Sequence, residues 1–323
     1  MTQPDRLLPI VTRRDDYIPF QRDIATWLPA VRAISYKHKL PVGQAVRLGN
    51  GTNIIFAVSD EYIIKLYPPY WQREFRADHT VAEFIYDKLP IATPFIYAYD
   101  ELEGWPYMVM SRLRGTYLTD IWQTMERENQ RSIIVNLARV LAGLHALPLN
   151  GFTGLEHDWP LFIENRMQNC QLHHRAKGVG ERWLEQIPDY LAYASPLYPP
   201  DYTPQLLSTD IHEYHLLVEP GQDGWQLCGL FDFDDARIGF REYDFSSVGL
   251  FMMRGRPDLL RLFLQAYGYT GEQLDKRLTQ RLMAYTLLHR YRDLNWILEE
   301  LVANPAIDTL EVLAEAIYGL EDR

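Results

Sequence analysis

Cysteine is scarce in this chain. Only Cys170 and Cys228 occur among 323 residues, so neither a disulfide framework nor a four-cysteine zinc site can be built. Long apolar runs are missing too. No stretch of about eighteen uninterrupted apolar residues is found, which argues against a membrane-spanning helix. The opening residues lack the basic-then-apolar pattern of a secretory signal. These absences lead us to expect a reduced, cytoplasmic protein without membrane contact. Basic charge is also short, with 32 Lys and Arg against 43 Asp and Glu, a net charge of −11. That balance argues against nucleic-acid binding, which rests on cations neutralising phosphates. Repeats and low-complexity tracts are absent. What remains is 47 % hydrophobic, too apolar for a disordered chain. The length, about twice that of a typical domain, suits two lobes or one large α/β unit.

The acidity is uneven. Residues 1–195 hold 22 acids and 21 bases, whereas residues 196–323 hold 21 acids and 11 bases. Such a surplus is either a solvated face or a site that gathers metal ions or a cationic substrate. Periodicity organises the rest. Residues 20–39 read as an amphipathic helix, with Trp27, Leu28, Val31 and Ile34 at helical spacing. Ile54–Val58 and Tyr62–Tyr67 read as strands joined at Ser59-Asp60-Glu61, and Pro68-Pro69 stops the second. A helix follows around Val81–Leu89. Two further strands, Phe95–Tyr99 and Tyr107–Met110, flank the Glu103-Gly104 turn. After about residue 117 the texture turns helical, with helices expected at 130–147, 256–268, 273–301 and 306–320. Two short strands, Leu216–Val218 and Leu227–Phe233, interrupt them. The expected class is α+β: residues 1–113, with 1–44 as a helical extension, form a small sheet lobe, and 114–323 form a larger helical lobe.

The chemistry concentrates between Leu206 and Phe245. Asp210 opens a loop, His215 follows five positions later, and a hairpin returns the chain to Asp232 at the end of an apolar strand. An ionised carboxylate leaving a buried strand needs a cation or several donors. Two such acids brought together repel unless a metal neutralises them. Phosphoryl transfer needs this pairing: one acid near the acceptor hydroxyl and one binding metal near the phosphates.

Here the chain resembles the aminoglycoside phosphotransferase/choline kinase family, with its bilobal protein-kinase-like fold. Residues 208–215 follow the catalytic-loop pattern H-G-D-x-H-x-x-N in Asp210, in His212 and in spacing. Phe231-Asp232-Phe233-Asp234-Asp235-Ala236 follows the metal-loop pattern I-D-F/W-x-D-A. Tyr243-Asp244-Phe245 resembles the family's aspartate that anchors the helix after the metal loop. The resemblance implies Asp210 at the acceptor hydroxyl and Asp232 on Mg²⁺, with Mn²⁺ as the alternative ion. Two positions depart from the pattern: Ser208 replaces the first histidine, and His215 replaces the metal-binding asparagine. Imidazole is a softer donor than Mg²⁺ prefers, so His215 is either a metal ligand or a loop histidine bonded to Asp210.

The family also places a lysine on the α- and β-phosphates of ATP, or of GTP as the alternative, held by a helical glutamate. Lys65, in the strand Ile63–Leu66, and Glu83 stand in those places. By the same resemblance Gly49 and Gly51 would cover the phosphates through backbone N–H groups, and Ser111 and Leu113 would meet the adenine edge. The implied activity is an ATP-dependent phosphotransferase acting on a hydroxyl of a small molecule, aminoglycoside-like or another hydroxylated metabolite. A cationic acceptor would suit the acidic half, and the chain would act as a monomer or homodimer. Two other classes stay open: a nucleotide-binding protein with little transfer, motivated by His215, and a metal-dependent hydrolase using Asp210, His212, His215 and Asp232. Other features are discounted. His212-Glu213-Tyr214-His215 is one residue short of a zinc helix motif, His173 and His174 are adjacent and diverge, and Ser208 lacks a nucleophile-elbow context.

Overall fold

The computed structural model describes residues 6–41, 44–49, 51–222, 224–301 and 306–320. Two compact units emerge. One holds Met1–Gly115 with Gly229–Asp235, the other Thr116–Cys228 with Ala236–Arg323. The expected division at residue 113 therefore missed an excursion. Residues 229–235 fold with the N-terminal unit because Gly229 bridges Ala92 and the Leu230 N–H donates to the Ala92 carbonyl at 3.0 Å. Among the described residues no helix is long and apolar enough to cross a membrane.

The first unit begins with α1 (Arg14–Gln21) and α2 (Ile24–Lys37). An antiparallel sheet follows, built from β1 (Ala45–Arg47), β2 (Ile54–Val58), β3 (Tyr62–Leu66), β4 (Ile96–Leu102) and β5 (Trp105–Ser111), ordered β1-β2-β3-β5-β4, with α3 (Gln72–Ile85) inserted after β3. Strand alternation explains its layering, since successive side chains leave opposite faces. Ile54, Phe56, Val58, Ile64, Leu66, Trp105, Tyr107 and Val109 join one cluster with Trp27, Val31 and Ile34 of α2. Trp27 meets Trp105 edge-on at 5.0 Å, and the Trp105 indole donates to the Pro9 carbonyl at 2.9 Å. The N-terminal segment is thus a covering layer of the sheet. The same alternation turns Lys65 to the opposite face. The β4–β5 turn bears out its sequence signal, with Glu103 and Gly104 both at positive φ, 50° and 89°, as a type I′ hairpin requires.

Helix α3 starts nine residues before its expected beginning at Val81. Its buried stripe is Glu74, Ala77, Asp78, Val81, Ala82 and Ile85, a regular helical face. Two acids lie in that face, which hid the first half of the helix from a reading based on apolar spacing.

The second unit contains β6 (Thr116–Tyr117), α4 (Leu118–Ile121), α5 (Arg127–His145), α6 (Trp159–Ala176), α7 (Glu181–Leu184), α8 (Ile187–Ala194), β7 (Gln205–Leu207), β8 (Leu216–Gly221), β9 (Gly224–Leu230, whose last two residues pass into the first unit), β10 (Arg237–Gly239), α9 (Glu242–Val248), α10 (Pro257–Tyr267), α11 (Lys276–Leu288), α12 (Leu294–Trp296) and α13 (Leu310–Tyr318). Helix α11 is buried almost all round because α6, α8, α9 and α13 surround it. The single helix expected over 273–301 breaks after Leu288. Residues 289–293 leave helical geometry, and a π-helical turn, Ile297–Leu301, closes the segment. The break carries His289 to the Thr209 carbonyl and Arg292 to Ser247.

Candidate active site

In the first unit, chemistry gathers around Lys65, which is 2 % exposed. Its ammonium pairs with Asp78 of α3, donates to Asp232 Oδ1 at 2.8 Å and lies 3.9 Å from Asp234 Oδ2. Burial alone would lower its pKa, yet the charges of Asp232, Asp78 and Asp234 outweigh burial and raise it. Lys65 therefore stays protonated. Asp78 also accepts from the Tyr67 hydroxyl at 2.6 Å and from the Phe233 N–H at 3.1 Å. It fastens the Asp232 loop to the lysine. Asp232 itself has φ +73°, a left-handed conformation that an aspartate tolerates better than most residues.

This corrects the expectation for Glu83. Its side chain is 48 % exposed and faces His79 one turn back at 3.7 Å. Five residues separate Asp78 from Glu83, which places them about 140° apart around the helix. Only Asp78 looks at the sheet. The signal was present in the sequence, because Asp78 lies on the Ala77–Val81–Ala82–Ile85 face.

Gly49 and Gly51 lie between β1 and β2, and Asn50 falls outside the described residues. Gly49 takes φ +61°, where a side chain would be strained. A Cβ on Gly51 would meet nothing within 4 Å. The loop carbonyls are tied down by α1: the Tyr17 hydroxyl donates to Thr52 and Gln21 Nε2 donates to Gly51 at 2.8 Å. Asn53 Nδ2 donates to Asp234 Oδ2 at 2.8 Å, which joins this loop to the acidic cluster. Ser111 ends β5. Its N–H donates to the Phe95 carbonyl at 2.8 Å, so its amide is committed to the sheet. Leu113 follows, half-buried, beyond the strand.

Asp232 and Asp234 bear on whether a divalent cation fits. Burial and the neighbouring Asp232 charge push the Asp234 carboxyl well above its usual range, against the pull of Lys65. Crowded carboxylate oxygens of this kind are relieved by a hard cation, and Mg²⁺ takes oxygen donors. The first unit's donor set fits Mg²⁺.

In the second unit Asp210 lies just past β7, before a single 3₁₀ turn, Glu213–His215. Thr209, beside it, has φ +67°. That left-handed residue is held from several sides. Its N–H donates to Asp244 Oδ1 at 2.6 Å, and its carbonyl accepts from Ser247 Oγ and His289 Nε2, each at 3.0 Å. Asp244 is fully buried and also accepts from the Ser208 N–H at 3.1 Å and from His145 Nε2 at 3.0 Å. It anchors the loop of residues 208–215 through that loop's own amides. Burial would raise the Asp210 pKa, but the His212 hydrogen bond and the charges of His215, His212 and Arg292 hold it far below the carboxylate range. His212 Nε2 stands 3.4 Å from Asp210 Oδ2, and His215 Nδ1 lies 2.8 Å from the Asp210 carbonyl.

Sequence reasoning missed His145, His289 and Arg292, which come from α5 and from the break after α11. Arg292 donates to Ser247 Oγ at 2.5 Å and stacks on Phe251 at 4.2 Å. No local motif marks them. Of the aromatic residues in 150–205, Trp159 and Tyr190 are each 1 % exposed and serve as core.

Comparison with known proteins places this arrangement. The GDP complex of wild-type aminoglycoside 2'-phosphotransferase-IIIa aligns over 90 % of this chain and 97 % of its own, at 18 % identity and a TM-score of 0.67. The macrolide 2'-phosphotransferase MphH from Brachybacterium faecium aligns over 91 % of this chain and 99 % of its own, at 17 % identity and a TM-score of 0.57. Both share the α+β kinase-like fold expected from the sequence. A curated protein from Arabidopsis thaliana, described as lysine-specific demethylase JMJ21, is 22 % identical over 205 residues; the match spans 51 % of this chain and only 21 % of that protein. The sequence model described as the phosphotransferase enzyme family (APH) matches residues 45–280, a span that takes in Lys65, Asp78, Asp210 and Asp232 together, and the chain belongs to that family.

Proposed function

We propose that the protein transfers the γ-phosphoryl group of ATP to a hydroxyl of a small molecule. The observation that carries this is the Lys65 ammonium, buried among Asp78, Asp232 and Asp234. A buried cation held by a helical acid and a metal-loop acid suits the phosphates of a nucleotide. Gly49 and Gly51 would lie over those phosphates, and the Ser111 carbonyl and the Leu113 backbone would meet the base. Asp232 would hold Mg²⁺; His215 stands where the family pattern has its metal-binding asparagine, and an imidazole there would suit Mn²⁺ better. When bound, the metal neutralises charge on the phosphate oxygens.

Asp210, ionised and flanked by His212, is the residue to orient the acceptor hydroxyl and take its proton. The acceptor oxygen bonds to the γ-phosphorus as the bond to the β–γ bridging oxygen breaks, and the nucleoside diphosphate leaves. Solved relatives were captured with GDP, with streptomycin and ATP, or with kanamycin, which supports a nucleotide donor and a hydroxylated acceptor. Asp210 has Arg292 and two histidines around it, so a polycationic acceptor draws no local support from this loop.

A second reading keeps nucleotide binding and drops the transfer. It is favoured by His215, whose Nδ1 is engaged with the Asp210 carbonyl where the family pattern has an asparagine. One assay separates the two: ADP or GDP formation with Mg²⁺ or Mn²⁺ across aminoglycosides and hydroxylated metabolites, against Asp210→Ala. Acceptor-dependent turnover lost in the variant supports transfer. Binding without turnover supports the second reading, and no nucleotide binding removes both.

A further inference from the structure

Asp210, His212 and His215 each bring one potential ligand atom to a common point, all within 4.8 Å of one another, and all three residues are half-buried. Two imidazoles and one carboxylate form a donor set that suits borderline divalent ions better than Mg²⁺. The hydrogen bonds favour one tautomer. His215 Nδ1 faces the Asp210 carbonyl at 2.8 Å, and a carbonyl only accepts, so the proton sits on Nδ1 and the lone pair on Nε2. A second partner that fixes the ligating tautomer in this way is a common feature of histidine metal ligands. His212 Nε2 already points at Asp210 Oδ2, 3.4 Å away. An ion there takes the place of the proton those two groups share. That proton moves to His212 Nδ1, which costs only the long 3.3 Å bond from the Tyr214 N–H.

Ligand atoms around tetrahedral zinc stand about 3.4 Å apart, given bond lengths near 2.0–2.1 Å. Closing from 4.8 Å needs side-chain rotation and no change of fold. The loop beneath is braced, since Asp244, Ser247 and His289 hold Ser208 and Thr209 in place.

We propose that Asp210, His212 and His215 form a Zn²⁺ site within the catalytic loop. The site rests on this geometry alone. Its consequence rests on the proposed function: zinc there ties up the base, so Zn²⁺ inhibits phosphotransfer while nucleotide binding through Lys65 persists.

The test uses the full chain, stripped by a chelator and titrated with Zn²⁺ in competition with a chromophoric zinc indicator, without nucleotide. We expect one ion per chain, bound far more tightly than Mg²⁺. His212→Gln and His215→Asn should each weaken binding by about 10–100-fold, with circular dichroism melts verifying that both fold, and Asp232→Asn should leave it unchanged. Co²⁺ bound to the unmutated chain should give visible d–d absorption stronger than the aquo ion, abolished by Zn²⁺. No saturable Zn²⁺ binding, binding in either histidine variant as tight as in the unmutated chain, or loss of binding in Asp232→Asn would overturn the site. Chelator-reversible inhibition of ADP formation then supports the consequence, and zinc binding without inhibition overturns it. If the chain forms no ADP with any acceptor, the proposed function fails while the binding arms still decide the site.

Discussion

The two units solve opposite electrostatic problems. In the first, one buried cation sits among three carboxylates, and the local excess is negative. In the second, one carboxylate sits among two histidines and a guanidinium, which favour its ionised form. The first arrangement suits a metal-bound polyphosphate, whose cation completes the balance. The second keeps the Asp210 carboxylate ionised and its loop braced. Burial also differs: Lys65 is 2 % exposed, whereas the Asp210 side chain keeps 23 % exposure. On the proposed function, the buried cation holds the nucleotide phosphates and the accessible carboxylate meets the acceptor.

Removing the cation of the first unit should have the largest effect. Lys65→Met leaves Asp78, Asp232 and Asp234 without their counter-charge, and breaking such a buried set costs about 3–5 kcal/mol. Urea unfolding should show that loss, together with loss of nucleotide binding. Asp210→Asn tests the other side. Turnover should fall by about 10²–10⁴-fold, as for a lost general base, with nucleotide affinity retained. If both variants lost affinity equally, the division of labour drawn here would be wrong.

Asp244→Asn should cost about 1.5–3 kcal/mol, because the fully buried carboxylate accepts from two amides and a histidine. A thermal melt at neutral pH measures it. His289 gives a smaller, pH-dependent effect. Burial, with Arg292 nearby, holds its pKa well below the ordinary value. Below about pH 6.5 the unfolded chain binds a proton there that the folded chain refuses, so stability falls as pH falls. His289→Gln should remove that group's share, up to about 1.4 kcal/mol per pH unit, in denaturant titrations between pH 5 and 8. Glu83→Gln should change stability by less than about 0.5 kcal/mol and leave nucleotide affinity intact. A large loss of affinity would restore Glu83 to the lysine and sink the assignment of Asp78.

The strands from Ile54 to Leu66 and the Glu103-Gly104 turn were legible because alternation and turn chemistry are local. The loop residues Asp210 and Asp232 were legible for a related reason: their neighbours carry a recognisable spacing. Helix α3 was half legible, since acids in its buried stripe broke the apolar rhythm. The helix over 273–301 was over-read. Helical periodicity continues through residues 289–293, but the bonds of His289 to the Thr209 carbonyl and of Arg292 to Ser247 outweigh it.

The sequence by itself determined the strands from Ile54 to Leu66, the Glu103-Gly104 turn and the acids available for chemistry, because side-chain alternation and loop spacing are properties of neighbouring residues. Only the tertiary structure decided which acid meets Lys65 and which residues brace the loop of residues 208–215. The choice of Asp78 over Glu83 depends on the rotational phase of α3 against the sheet. The recruitment of His145, His289 and Arg292 depends on contacts across tens of residues, because polar groups buried by apolar packing must find partners wherever the fold brings them.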